Sequence, residues 1–209
     1  MNEITAITPQ VKDKTRCNIY LDGRFYCGLA LETAVKHRLK VGMSVLPEFL
    51  NEIQLESEKT TAFDKALTHI TGSQKTEREI RRFLAKKGYL PATIEYVLEK
   101  LRDYRFVDDA QYARSFAQAG AKKKGARLMR MQLKGKGISD EDVDAAVGEI
   151  DEETQIAAAT EILTKYLRGK SLDRETLAKA YRHLLSKGFD YEVAKSALER
   201  LKLSLDEDL

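Results

Sequence analysis

Few residues in this 209-residue chain are spaced for bond-making chemistry. The three histidines, His37, His69 and His183, are scattered, and no two stand four residues apart, the spacing that aligns two metal ligands on one helix face. There is no Gly-x-Ser-x-Gly and no Cys-x-x-Cys. Gly120-Ala-Lys-Lys-Lys-Gly125 has the glycine spacing of a phosphate loop. Ala126 and Arg127, however, stand where that loop needs a lysine for phosphate and a hydroxyl for magnesium. Asp108 and Asp109 are adjacent, so at a helix start they serve as an N-cap and a first-turn acid rather than as a converging acid and base. The expectation is a protein that is not an enzyme, with no catalytic residue, no metal site and no cofactor.

The chemistry that remains is charge. Residues 120–138 contain Lys122, Lys123, Lys124, Arg127, Arg130, Lys134 and Lys136 and no acid. On a helix starting near residue 125, Arg127, Arg130 and Lys134 share a face. A second cluster, Arg78, Arg81, Arg82, Lys86 and Lys87, is diluted by Glu77 and Glu79. These twelve cations are the candidate contacts for phosphates or for acidic protein surfaces. The bland alternative is a pair of solvated helix faces. In the first cluster the lack of compensating acid, which destabilises a helix, favours a partner.

The elements that must carry these side chains repeat. Leu-x-x-Lys-Gly occurs as Leu84…Lys87-Gly88, Leu133…Lys136-Gly137 and Leu184…Lys187-Gly188, with the glycines 49 and 51 residues apart. A large apolar residue follows each: Tyr89, Ile138 and Phe189. Then comes a helical stripe: Ile94, Val97, Leu98 and Leu101; Val143, Ala146, Val147 and Ile150; Ala194, Ala197, Leu198 and Leu201. The spacing predicts a helix ending at the lysine, a left-handed glycine beyond it, and an apolar residue folding back. A further helix precedes each pair, at roughly 62–70, 109–121 and 154–167. Thr76-Glu-Arg-Glu79 reads as a capping box, and Ser139, Asp173 and Asp190 as helix starts.

Only the N-terminal segment reads as β. Ile4–Thr8 is short and β-branched, and strands at 15–21 and 24–28 flank Asp22-Gly23, a hairpin turn signal. A helix over 31–39 ends at Gly42, Ser44 caps the next helix with Pro47 in its first turn, and no strand is expected from residue 44 onward. With a two-residue turn Leu21 pairs Arg24, Ile19 pairs Tyr26 and Asn18 pairs Cys27. Cys17 and Cys27 then point to opposite faces and form no disulfide. The fold class is mostly α: tandem three-helix repeats in an elongated curved array, behind a small extension containing a β-hairpin. The expected divisions are 1–60, 61–105, 106–152 and 153–209.

Composition agrees with a globular chain, 43% hydrophobic and 33% charged. The net charge of +3 is uneven. Residues 61–104 hold nine basic against six acidic side chains and 105–150 nine against seven, whereas 151–209 hold ten against twelve. Unpaired thiols, no signal peptide and no membrane-length apolar run point to the cytoplasm.

Phe106-Val-Asp-Asp109, Tyr112-Ala-Arg-Ser-Phe116, Lys124-Gly-Ala-Arg127 and Leu133…Lys136-Gly-Ile138, with the threefold repeat, resemble the RecX family over about residues 61–203. The N-terminal segment looks like the extension of its longer members. The resemblance implies a monomeric regulator of the RecA recombinase, working in homologous recombination, DNA repair and the SOS response. Such proteins lodge in the groove of the RecA–DNA filament, bridge its protomers and inhibit ATP hydrolysis and strand exchange. Some also touch single- or double-stranded DNA. The family offers no catalytic residues to carry over. The alternative is a stand-alone helical DNA-binding module or repressor contacting phosphates. It needs a recognition helix that reads base edges, and residues 125–136 offer only Gln132 among basic and apolar side chains.

Overall fold

In the computed structural model, which describes residues 1–11 and 13–207 and side chains as far as Lys202, Asp22 and Gly23 make the expected hairpin turn with left-handed backbones, φ 48° and 81°. The turn joins β2 (Arg16–Leu21) to β3 (Arg24–Ala30). β1 (Asn2–Pro9) pairs antiparallel with β2, and β4 (Ser44–Val45) pairs with β1, giving the order β3-β2-β1-β4. The strand at 44–45 corrects the expectation of none beyond residue 44, because two residues are too few to show alternation. Ser44 is therefore not a helix cap. Leu46 takes that position and Pro47 follows in the first turn.

The hairpin register also differs from the expected one. A bulge between Ile19 and Tyr20 leaves Ile19 opposite Cys27 and Cys17 opposite Leu29. Cys17, Ile19, Leu21, Cys27 and Leu29 then share one buried face, so the two thiols lie on the same side of the sheet rather than on opposite sides. Both are free. Burial, with Cys17 nearby, pushes the Cys27 thiol up to about 11, which leaves it unreactive at neutral pH.

The chain divides into two compact units, residues 1–75 with 80–107 and residues 76–79 with 108–209. In the first, the sheet face packs on Ala34, just inside α1 (Leu31–Lys36), and on Leu50 and Ile53 of α2 (Pro47–Thr71). α2 is a single helix, Pro47–Thr71, where the sequence suggested a separate helix over 62–70. No glycine or proline interrupts it between Pro47 and Gly72. One helix thus serves two cores, since its Ala62 and Ala66 pack with Ile80 and Leu84 of α3 (Glu77–Lys86) and with Ile94, Val97, Leu98 and Leu101 of α4 (Pro91–Asp103). Between the two cores, buried Ser57 accepts a hydrogen bond from the Ala30 amide at 2.6 Å. Full burial of a side chain such as Leu50 or Leu98 contributes about 1.5–3 kcal/mol.

The second unit contains α5 (Asp109–Gly120), α6 (Ala126–Lys136) and α7 (Asp140–Gly148) around Ala113, Ala117, Met129, Leu133 and Val143. It also contains α8 (Glu152–Leu167), α9 (Arg174–Ser186) and α10 (Tyr191–Glu207) around Leu163, Leu184, Phe189 and Ala197. Asp108, Ser139, Asp151 and Asp173 cap α5, α7, α8 and α9 by accepting from backbone amides three residues on. Among the described residues no helix is long and apolar enough to cross a membrane.

Candidate functional site

The three Leu-x-x-Lys-Gly turns have one geometry. Gly88, Gly137 and Gly188 have φ of 87°, 90° and 88°. Each glycine amide bonds to the carbonyl three residues back, and the following Tyr89, Ile138 or Phe189 amide reaches the turn leucine's carbonyl at 3.2–3.3 Å. This pairing satisfies the last helical carbonyls and turns the next apolar residue inward.

Two of the turns are docking sockets within the second unit. The Lys187-Gly188 turn receives the start of α6: the Gly125 amide donates to the Lys187 carbonyl at 3.0 Å and the Arg127 amide to the Gly188 carbonyl at 3.1 Å. Gly125 is required here, because a Cβ on it would overlap the main chain of Gly188 and Phe189. Buried Gln155 completes the joint, accepting from the Ala126 amide at 3.0 Å and donating to the Ala121 carbonyl at 3.2 Å. The Lys136-Gly137 turn receives residues 76–79 through side chains instead. The Thr76 hydroxyl donates to the Lys136 carbonyl at 2.8 Å, and the Arg78 stem lies over Gly137. The Glu77 amide donates to Asp109 at 3.0 Å, and Lys136 pairs with Glu79 at 2.7 Å. The expected capping box is present, Thr76 and Glu79 each accepting from the other's amide. Burial raises the Asp109 carboxyl above its ordinary range, and the Glu79 and Tyr112 side chains raise the Lys136 ammonium.

Most of the twelve cations are engaged inside the protein. Arg127 donates to the Leu185 carbonyl at 3.2 Å, Arg130 to Asp144 at 3.2 Å, and Lys134 pairs with Asp140 at 2.8 Å. Two residues of the stripe that looked uncompensated, Arg130 and Lys134, are therefore compensated by acids of α7 that lie beyond the run and reach it only through the fold, while Arg127 is held by a main-chain carbonyl of α9. Lys124 donates to Gln132 at 2.7 Å and covers the Phe116 ring, while Lys136 covers Tyr112. Arg78 donates to the Lys134 carbonyl, Arg81 is paired with Glu95, and Lys87 lies over Phe83. Among the described residues Arg82, Lys86 and Lys123 have no ion-pair or ring partner, and Lys122 has only a longer-range attraction to Glu161. Arg81, Arg82, Lys86 and Lys87 belong to the first unit and the other eight to the second.

Lys122 and Lys123 stand at a cleft that the sequence did not announce, lined also by Glu161, Ile162, Lys165, Tyr166, His183 and Lys187. Only Lys187, the lysine of the third repeated turn, carried a signal. Tyr166 and His183 lie 17 residues apart in sequence, on helices that meet only in the folded repeat.

Four segments match RecX domains. Residues 2–46 match the Regulatory protein RecX N-terminal domain, and residues 62–101, 108–147 and 153–198 match the first, second and third three-helix domains of RecX. A protein named Regulatory protein RecX from Clostridium tetani (strain Massachusetts / E88) is 32% identical over 208 residues, covering 98% of this chain and 96% of its own. The chain belongs to the RecX family. A RecX protein of Bacillus subtilis (strain 168) is 29% identical, covering 98% of this chain and 79% of its own. A crystal structure of regulatory protein RecX superposes with a TM-score of 0.73 at 27% identity, covering 95% of this chain and all of the other. RecX from Lactobacillus salivarius shares the fold, with a TM-score of 0.66 at 22% identity over 70% of this chain and 97% of its own. The RecX motif residues now have physical roles. Val107 is buried, Asp108 caps α5 and Asp109 holds the Glu77 amide, while Tyr112 and Phe116 carry Lys136 and Lys124 on their rings.

Proposed function

We propose that this chain regulates a RecA recombinase by binding in the groove of the RecA–DNA filament, and that it inhibits ATP hydrolysis and strand exchange. The observation that carries the reading is the tiling of four RecX domains along the chain, with whole-length identity to proteins named as regulators. The Lys187-Gly188 joint supports it physically. Binding across more than one filament subunit gains from a preset spacing between repeats, which main-chain bonds around Gly125 supply. The twelve cations are the contact set. Arg82, Lys86 and Lys123, which have no ion-pair or ring partner among the described residues, and Lys122, which is attracted to Glu161 only at longer range, lose the least by engaging another molecule. The site of action is the cytoplasm, and the chain acts as a monomer.

Titrating the protein into RecA on single-stranded DNA and measuring ATP hydrolysis tests this. Inhibition well below one molecule per RecA protomer is expected. No effect from a folded, helical sample overturns the proposal. A triple Arg127→Ala, Arg130→Ala, Lys134→Ala variant with unchanged melting tests the stripe, and unchanged filament affinity removes those three from the contact set. The stand-alone DNA reader is disfavoured because Gln132, its base-edge candidate, already accepts from Lys124.

A further inference from the structure

The cleft behind the α5–α6 turn joins Lys122 and Lys123, two of the proposed contact cations, to groups that the regulatory reading does not use. It encloses about 410 Å3 and is lined by Lys122, Lys123, Lys165 and Lys187, with Glu161 as its one acid. Glu161 is already paired with Lys165 at 2.5 Å, so the lining keeps a clear positive excess. Its apolar part includes two rings. Tyr166 and His183 stack with centroids 4.7 Å apart and planes 20° apart, and the Lys170 ammonium lies 3.5 Å from the Tyr166 centroid. Tyr166 and His183 both line the cleft.

Cations beside a fixed aromatic face recognise an anion joined to a flat ring. We propose that this cleft binds a nucleotide unit, its phosphate among Lys122, Lys123 and Lys187 and its base against the imidazole of His183. The lysines that rim the site are exposed, so a phosphodiester strand can continue past it. A free nucleotide offers the same chemistry with one more terminal charge. Binding here needs no RecA, although Lys122 and Lys123 also belong to the proposed filament contact set.

The surroundings of His183 favour its neutral ring. Burial, then Lys187 and Lys170, hold its imidazole below the ordinary value of 6.5, so the ring is neutral at pH 7. The charged groups around it are Lys122 and Lys123 on the α5–α6 turn, Glu161 and Lys165 on α8, Lys170 after α8, and Lys187 at the end of α9. A bound phosphate reverses the local sign, raises the His183 pKa and favours binding as pH falls.

The test is fluorescence anisotropy of the full chain, without RecA, using a short labelled oligodeoxythymidine, the same oligomer with abasic sugars, and thymidine monophosphate as competitor. The intact oligomer binds more tightly than the abasic one by roughly tenfold, the scale of one base stacked on one ring. Lys122→Ala/Lys123→Ala weakens binding and flattens the salt dependence, whereas Arg24→Ala/Lys40→Ala, with the same charge change at exposed positions outside the cleft and outside the contact set, does neither. Competition by the monophosphate marks a free nucleotide as a ligand, and its absence marks a strand; either supports the site. NMR of the His183 ring protons, assigned with His183→Gln, shows a raised pKa in the bound state. Equal losses from the two double variants, or an unmoved His183 pKa at saturating oligomer, overturns the proposal. Neither result bears on inhibition of RecA ATP hydrolysis, which is measured separately.

Discussion

The Lys136-Gly137 and Lys187-Gly188 turns have the same sequence pattern and the same left-handed glycine, yet each holds its guest by different means. At Lys187-Gly188 the guest is backbone: two amides reach two carbonyls, and Gly125 approaches so closely that no Cβ fits. At Lys136-Gly137 the guest is a set of side chains, Thr76, Arg78 and Glu79, with Asp109 drawn in from α5. The first joint depends on an absence of atoms and the second on charge. A repeated turn therefore conserves the shape of the socket but not the physics of the bond made to it.

That contrast can be broken at the glycines, where the largest effect is expected. Gly125→Ala puts a methyl group into the Gly188–Phe189 main chain, and relief requires the backbone to move. Urea unfolding of the full chain is expected to show a loss of about 3 kcal/mol. Gly88→Ala is the reference, because nothing lies within 4 Å of its Cβ position. Only the left-handed backbone, φ 87°, is penalised, by about 1 kcal/mol. Equal losses at the two positions would mean that close docking at Gly125 contributes nothing.

A smaller effect sharpens the distinction through salt. Gln155→Ala leaves the Ala126 amide and the Ala121 carbonyl without this partner, at a cost of about 1–3 kcal/mol that salt does not change. Lys136→Met, read in a double-mutant cycle with Glu79→Gln, is expected to show a coupling of about 0.5–1 kcal/mol that shrinks as sodium chloride rises. Salt sensitivity at Gln155, or none at Lys136, would erase the difference between the joints.

The smallest effect concerns acid. The Asp173 carboxylate accepts from Ser171 and from the Thr176 amide, contacts that lower its pKa from 3.8 to about 2. A depressed carboxyl stabilises the folded state above its ordinary pKa, and this contribution disappears as pH falls from 3.8 towards 2. Circular dichroism of the wild type is expected to show a loss of α9 helicity in that window that Asp173→Asn lacks. The joint at Gly125, which has no titrating group, is expected to hold through it.

Much of the helical part was legible because its signals are local. A left-handed glycine and the apolar residue after it need only neighbours in sequence, and the caps Asp108, Ser139 and Asp173 are one-turn devices. What escaped was long-range or too short to show a period. β4 has two residues, and the bulge that turned Cys17 and Cys27 to one face left no mark in the alternation. At the candidate surface, the cations were legible as residues but not as partners. Asp140 follows the Ser139 helix start and Asp144 lies a turn beyond it, and only the packing of α7 on α6 brings them to Arg130 and Lys134. The cleft depends on two helices meeting, so Tyr166 and His183 gave no sign of belonging together.

The closeness of Gly125 to Gly188 has a consequence for how such a chain can change. A main-chain joint is indifferent to which side chains decorate the helices on either side of it. Surface residues of α6 and α9 can be exchanged to suit a different partner while the interval between the two repeats stays as it was. The glycine pair works as a ruler whose marks are independent of what is being measured, and the residues least able to vary are those that present nothing to a partner at all.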